Sequence, residues 1–374
     1  MSYLGQEIGK LGFGLMRLPK IDEKTIDVEQ VKEMVDLFMD AGFTYFDTAW
    51  AYDGSEDAIR QALVERYPRD SFQLATKNAA WIECKTREDA IGQFERSLKL
   101  TGAGYFDYYL LHNLGKTRTK VFDDFDMWNY LEDRKKEGLI KHLGFSFHST
   151  PEELDAILTQ HPEMEFVQLQ LNYGDWESDI VQSRRCYEVA RKHDIPIIVM
   201  EPVKGGSLVN LPPEADRIFR GLGGGSNASY AVRFAASFPK MAMVLSGMSD
   251  MAQMQDNIGS MKDFEPLSAA ETDAVVKVCG IFKKLDLIPC TSCRYCVEEN
   301  ECPQSIRIPD MFSSLNAHEA FHNWNTKFYY RTVITGGDNG KASDCIECGM
   351  CEDVCPQYLP IRDLLKDVAK TFES

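Results

Sequence analysis

The sequence predicts an α/β fold, a (β/α)8 TIM barrel followed by a small, mostly α-helical, cysteine-rich domain. Three observations carry that prediction. Short apolar stretches alternate with helical patterns, and eight such repeats occupy the roughly 250 residues a barrel of this kind needs. Conspicuous polar residues recur where the stretches end: Asp47, Lys77, His112, Ser146, Gln168 and Glu201. A barrel gathers those ends on one face, whereas an open doubly wound sheet spreads them along an edge. Cysteine supplies the third observation. Of 11 in the chain, Cys84, Cys186 and Cys279 are scattered, and the rest crowd between Cys290 and Cys355.

The strands are read in order. LGFGLMRL (11–18), FTYFDTAWAY (43–52), FQLATKNA (72–79), FDYYLLHN (106–113), LIKHLGFSFH (139–148), FVQLQLN (166–172), IPIIVMEP (195–202) and MAMVLSG (241–247) are rich in β-branched and aromatic residues. They are nearly continuously apolar, as parallel strands covered on both faces are. Between them, 28–42 reads as a helix closed by Gly42, and 55–68 as one stopped by Pro68. Thr86 with Asp89 forms an acidic version of a capping box, and Thr150-Pro151-Glu152-Glu153 gives an N-cap, an N1 proline and early acids. The run GLGGG (221–225) follows no strand and lacks the dinucleotide spacing, so it reads as a loop. The rhythm stops near 263, and 267–285 reads as a connecting helix. The expected domains are 1–265 and 266–374. Apolar residues at helical spacing over 308–334 predict helices there, with Phe312, Phe321, Trp324, Phe328, Tyr329 and Tyr330 as a small core.

Composition bounds the function. With 41 basic and 58 acidic residues among 374, the formal charge is -17, which disfavours nucleic acid and anionic membrane as partners. No stretch approaches the about 20 apolar residues of a membrane span, and the N-terminus lacks a signal-peptide core. A cytoplasmic location is expected, where structural disulfides are disfavoured. The clustered cysteines then read as metal ligands or redox groups.

Their spacing names the metal. Cys290-x2-Cys293-x2-Cys296-x5-Cys302-Pro303 is followed by Cys345-x2-Cys348-x2-Cys351-x3-Cys355-Pro356. The second run has the spacing of bacterial ferredoxins, in which the fourth cysteine serves the other cluster. The reading is an α-helical ferredoxin-like iron–sulfur domain with two [4Fe-4S] clusters. One takes Cys290, Cys293, Cys296 and Cys355, the other Cys345, Cys348, Cys351 and Cys302. Zinc sites use four ligands, commonly as two pairs, and two triplets plus two Cys-Pro do not divide that way.

The motifs FDTAWAYDGSE (46–56), LATKNA (74–79) and YYLLHN (108–113) carry a resemblance. The chain resembles the aldo-keto reductase family over about residues 5–260, and within it the subgroup with a C-terminal ferredoxin-type extension. Reducing a carbonyl needs a hydride donor and an acid at the oxygen. Tyrosine ionises near 10 when unperturbed, and a neighbouring ammonium held by a carboxylate lowers that value. Tyr52, Lys77 and Asp47 can supply those parts, and the resemblance implies these roles, with His112 orienting the substrate oxygen. It also implies cofactor contacts at Ser146, Gln168, Met200, Pro202, Gly247, Gln253 and Asn257. Four positions depart from the family. Phe147 stands where an Asn usually follows the Ser, with His148 as its candidate substitute. Met200 stands where an aromatic usually stacks on the nicotinamide. Gly247 and Gln253 occupy the places of the usual 2′-phosphate cations, leaving Ser249 or Lys262 for that role.

The expected function is therefore NAD(P)(H)-dependent interconversion of a carbonyl and an alcohol by hydride transfer. The cofactors are NADP(H) or NAD(H) and two [4Fe-4S] clusters. The substrate is a small carbonyl or alcohol, lined by Trp50, Trp81 and Trp176, and a redox protein is a candidate partner. The alternative is an electron-transfer or redox-sensing iron–sulfur protein that uses the barrel as a binding scaffold.

Overall fold

The computed structural model describes residues 2–3, 6–22, 24–115, 117–178, 181–285, 287–298, 302–321 and 325–374. The chain divides into two compact units, Met1–Pro202 with Ala228–Leu267, and Val203–Asn227 with Ser268–Ser374. No helix among the described residues is long and apolar enough to cross a membrane.

The first unit is a closed barrel of eight parallel strands. They are β1 (Leu11–Gly14), β2 (Tyr45–Asp47), β3 (Gln73–Asn78), β4 (Phe106–Leu114), β5 (Ile140–Phe147), β6 (Phe166–Gln170), β7 (Ile197–Met200) and β8 (Met241–Ser246). The order runs β1 to β8 and closes from β8 back to β1, as the sequence rhythm predicts. A short antiparallel ribbon, Ser2–Tyr3 with Gln6–Glu7, precedes β1. Inward side chains fill the interior: Tyr45, Ala75, Tyr108, Leu110, Phe166, Ile198, Met243 and Leu245. Room is tight there. A β-carbon on Gly144 would lie 2.4 Å from the Phe166 carbonyl oxygen, so only glycine lets β5 approach β6.

The register sets the strand ends level. Gly14 pairs with Asp47 and Asp47 with Ala75; Ser146 pairs with Gln168 and Gln170 with Met200. The anticipated helix signals are used. Thr86 and Asp89 form the reciprocal capping box, Thr150 Oγ1 accepts the Glu153 N–H, and Gly42 takes φ 89° just past Val28–Asp40. Two elements differ from expectation. The 55–68 segment is α-helical only over Ser55–Ile59, then widens into a π-turn at Arg60–Val64. There the Glu65 N–H reaches Arg60 O at 3.0 Å, while the Arg60 guanidinium bridges Asp57 and Glu65. Between β4 and β5 there are two helices, Thr117–Asp124 and Met127–Lys136.

The second unit packs the helix Pro213–Arg220 with Ala269–Leu285. Its core holds Ile306, Met311, Phe312, Tyr330, Leu365, Val368 and Phe372. Tyr330 stacks on Phe372 with centroids 5.0 Å apart, and its hydroxyl accepts the Ala342 N–H at 2.9 Å. The 308–334 stretch is helical in pieces, Ile308–Phe321, Asn325–Tyr329 and a π-turn Tyr330–Ile334. Only part of the expected aromatic core is interior. Phe312 and Tyr330 are buried, whereas Phe328 and Tyr329 are exposed because adjacent positions on so short a helix cannot all face one side. Trp324 and the Phe321 side chain lie outside the described residues.

Candidate active site

At the carboxyl ends of β2 and β3, Lys77 and Asp47 form a buried ion pair. Lys77 Nζ donates to Asp47 Oδ1 and to Thr48 O, the latter at 2.7 Å. Asp47 Oδ2 accepts from Gln168 Nε2 at 3.2 Å. Burial drives the Lys77 ammonium below its ordinary value, opposed by the Asp47 charge. Lys77 Nζ lies 5.1 Å from the Tyr52 ring centroid. The Tyr52 ring meets His112 edge-on at 5.8 Å, and Trp81 also approaches His112, with ring centroids 6.3 Å apart and its Nε1 donating to His112 O at 3.0 Å. Burial, then the charges of Lys77, His148 and Arg118, pushes His112 well below its ordinary value. At neutral pH its imidazole is uncharged, so it can act as a hydrogen-bonding group without repelling Lys77.

Asp47, Tyr52, Lys77 and His112 are thus brought together. The arrangement can donate a proton from a phenol, stabilise the phenolate with an ammonium, and polarise an oxygen with a neutral imidazole.

The other candidates sit at neighbouring strand ends. Ser146 is the penultimate residue of β5, and its Oγ accepts the Asn113 N–H at 2.7 Å. Gln168 lies in β6 and bonds Asp47 rather than standing clear for a ligand. Met200 ends β7, followed by Glu201 at φ 56° and then Pro202. Gly247 follows β8 and faces Arg17, whose Cβ and Cδ would be 3.7 Å from an added β-carbon. Gln253 is taken up by a helix cap, with Oε1 accepting the Ser249 N–H and Nε2 donating to Asp250. Asn257 Nδ2 donates to Ser246 Oγ at 2.8 Å, tying β8 to the helix Met251–Met261. The tryptophans divide. Trp81 touches the His112 site, whereas Trp176 stacks on Phe238 at 4.4 Å and packs against Tyr187 and Phe234.

Sequence reasoning missed several residues here. Glu56 is buried near Lys77 and accepts from Thr76 Oγ1 at 2.7 Å; burial raises its carboxyl. Arg118, also buried, donates Nε to Asn113 O and lies 5.7 Å over Trp81. Arg17 pairs with Glu201 at 3.7 Å. None belongs to a spacing pattern, so a single sequence carries no signal for them.

In the second unit the thiols gather around two cavities. Cys290, Cys293, Cys296 and Cys355 line one, with Phe312 and Leu359. Cys302, Cys345, Cys348 and Cys351 line the other, which Cys296 also touches. Among the described residues no three donors close on one single-ion position; the sulfurs are spread around each cavity instead. The two cysteine runs share a backbone course. Ser292 and Arg294 flank Cys293 with φ 52° and 69°, and Glu347 and Gly349 flank Cys348 with φ 55° and 82°. Ser305 and Tyr358, each three residues past the Cys of a Cys-Pro, take φ 50° and 51°. A glycine also serves this unit from afar, because a β-carbon on Gly205 would lie 2.2 Å from Thr291 O. Burial first, then neighbouring charges that include three thiols, pushes the Cys351 thiol up to about 12; a bound metal supplies the charge such a sulfur needs to ionise. The donor set therefore fits a polynuclear, thiolate-ligated group.

Known proteins agree with both units. A model of the Aldo/keto reductase family matches residues 10–279, and one of the 4Fe-4S dicluster domain matches residues 289–359. Protein REDOX 2 of Catharanthus roseus is 26% identical over 46% of this chain and 57% of its own length. The 9,11-endoperoxide prostaglandin H2 reductase of Trypanosoma cruzi is 27% identical over 53% and 62%. The chain thus spans less than two thirds of these relatives. A solved aldo-keto reductase of Klebsiella pneumoniae in complex with NADPH superposes with TM-score 0.58 at 20% identity, covering 72% of this chain and 91% of that one. A holo aldo-keto reductase of Bacillus halodurans gives 0.58 at 22%, covering 74% and 94%. At such identities these two show the shared fold.

Proposed function

The chain belongs to the aldo/keto reductase family and carries a 4Fe-4S dicluster domain, and we propose that it interconverts a small carbonyl compound and its alcohol with NAD(P)(H). The observation that carries this reading is the buried Lys77–Asp47 pair set against Tyr52 and a neutral His112. When bound, a reduced nicotinamide supplies the hydride for the carbonyl carbon. Tyr52 gives its hydroxyl proton to the oxygen as negative charge grows there. The Lys77 ammonium stabilises the phenolate left behind, and Asp47 keeps that ammonium charged in a dry site. His112 donates a hydrogen bond to the same oxygen and fixes its direction. Trp81 walls the site and favours planar or apolar substrates.

Ser146, Gln168, Met200, Pro202, Gly247, Gln253 and Asn257 are the residues we assign to the dinucleotide. The NADPH in the Klebsiella structure supports a nicotinamide cofactor of this class. The dinucleotide is NADP(H) or NAD(H). In this reading Arg17, beside Gly247, adds a cation at the end of β8 that the sequence pattern lacked.

The C-terminal unit would hold two [4Fe-4S] clusters, one on Cys290, Cys293, Cys296 and Cys355, the other on Cys302, Cys345, Cys348 and Cys351. The two thiol-lined cavities support that division. Such clusters supply one-electron steps, so the partner class they call for is a one-electron redox protein. Tyr52→Phe should lower NAD(P)H-dependent carbonyl reduction by at least about 100-fold, the scale of a lost general acid. Unchanged turnover would sink the assignment. Anaerobic titration with NAD(P)H and substrate, followed by EPR, reports whether the clusters change oxidation state.

A further inference from the structure

Asn113 follows His112 in β4 and is fully buried. Its backbone is left-handed, with φ 61°, and the β4–β5 pairing shifts register between Leu111 and Leu114. The strand's inward and outward alternation is therefore interrupted at this residue. Its main chain is satisfied: the N–H donates to Ser146 Oγ at 2.7 Å, and the carbonyl accepts from Arg118 Nε at 2.8 Å. Its side chain is not. Among the described residues neither Oδ1 nor Nδ2 has a hydrogen-bonding partner. A buried amide with both halves unmet is costly, and a non-glycine residue in this backbone region adds strain. Such costs persist where a ligand repays them.

The neighbouring groups narrow the ligand. Gln168 Nε2 is used on Asp47. Ser146 accepts the Asn113 N–H and still has a hydroxyl proton to give. What Asn113 lacks is one donor and one acceptor side by side, which is what a primary carboxamide presents.

We propose that Asn113 is a cofactor-binding residue whose side-chain amide pairs with the carboxamide of the nicotinamide ring, next to the Ser146 hydroxyl. The inference rests on the nicotinamide-dependent reading above and adds a contact to it. It leaves Phe147, a buried apolar residue, free of any part in holding that carboxamide, and it leaves His148 without the substitute role.

The test measures binding, not turnover. Cluster-loaded protein is titrated anaerobically with NADH, with NADPH and with reduced 3-acetylpyridine adenine dinucleotide, following tryptophan fluorescence. The analogue keeps the carbonyl acceptor and replaces the amino donor by a methyl group. Asn113→Gly suits the left-handed backbone and removes only the amide. It should raise the dissociation constant of the preferred natural dinucleotide about tenfold, and that of the analogue by no more than about threefold. Asn113→Ala also removes both halves of the amide; it is read the same way if the glycine variant does not fold. Equal losses for both ligands would overturn the inference, as would unchanged binding with a raised melting temperature. Tight binding by the parent and equally tight binding by the variant refutes this contact alone. No dinucleotide binding by the parent refutes the reading beneath it.

Discussion

Replacing Asp47 by Asn should cost the protein about 3–5 kcal/mol, because it leaves a buried charge without its partner. Lys77 is 0% exposed and Asp47 3%, so neither end of the pair is relieved by water. The amide preserves shape and one acceptor for Lys77, yet the ammonium keeps only dipoles around it, chiefly Thr48 O at 2.7 Å. The nearby Glu56 is a poor replacement, since burial raises its carboxyl and favours the neutral acid. At about 2–4 °C per kcal/mol for a unit of this size, the melting temperature should fall by roughly 6–20 °C. Part of the loss should return as pH rises. The folded Lys77 value lies below its unfolded one, so the unfolded chain holds the extra proton between them and stability climbs with pH in that window. The double variant Asp47→Asn, Lys77→Met buries no charge and should be more stable than Asp47→Asn alone. Thermal unfolding without oxygen, followed by tryptophan fluorescence, reads the barrel, where Trp50, Trp81, Trp128 and Trp176 lie. Additive losses in the double variant, or a loss under about 1 kcal/mol in the single one, would refute the reasoning.

Three further outcomes are expected. Cys355→Ser should release about half of the bound iron, a share set by four thiols per cluster, while Cys84→Ser leaves the iron content unchanged; full retention in Cys355→Ser would refute the ligand division. Because His112 is held below its ordinary value, its contribution to stability is complete above about pH 6.5 and shrinks below it by up to about 1.4 kcal/mol per pH unit. His112→Gln should flatten the urea midpoint between pH 5 and 7, and an unchanged slope would count against a buried neutral imidazole. Gly144→Ala forces a β-carbon to 2.4 Å from Phe166 O and should lower stability by about 1–3 kcal/mol or more; a neutral result would mean that β5 and β6 separate freely.

The barrel was legible because parallel strands leave a strong trace: short apolar runs, each closed by a polar residue at the same end. Asp47, Lys77 and His112 stand out by that rule, whereas Tyr52, and the role expected of each, came from the family resemblance of the motifs around them. The cysteines were legible because cluster ligands must keep fixed local spacing. What stayed hidden depends on contacts distant in sequence. Glu56 reads as a surface acid of an amphipathic helix, and only tertiary packing encloses it with Thr76. Arg118 belongs to a polar segment and is buried by its place beside Trp81. The spacing of Gln253 and Asn257 is visible in the sequence, but not that their amides also hold a helix cap and tie a strand. The exposed Phe328 and Tyr329 show the limit of composition, since an aromatic cluster in sequence does not fix which side faces inward.

The two cysteine runs follow one backbone course, and each cavity draws its fourth thiol from the other run. A cluster bound to those four sulfurs acts as a covalent cross-link between distant parts of the chain. One such cluster would tie Cys296 to Cys355 and the other Cys302 to Cys345, residues that line the two cavities, so the second would close a loop nested inside the first. By the chain-entropy relation for cross-links, a loop of about 40 residues restricts the denatured ensemble by about 4 kcal/mol. Losing iron would then loosen the whole C-terminal fold at once, making metal loading a condition for its folding as much as for its chemistry.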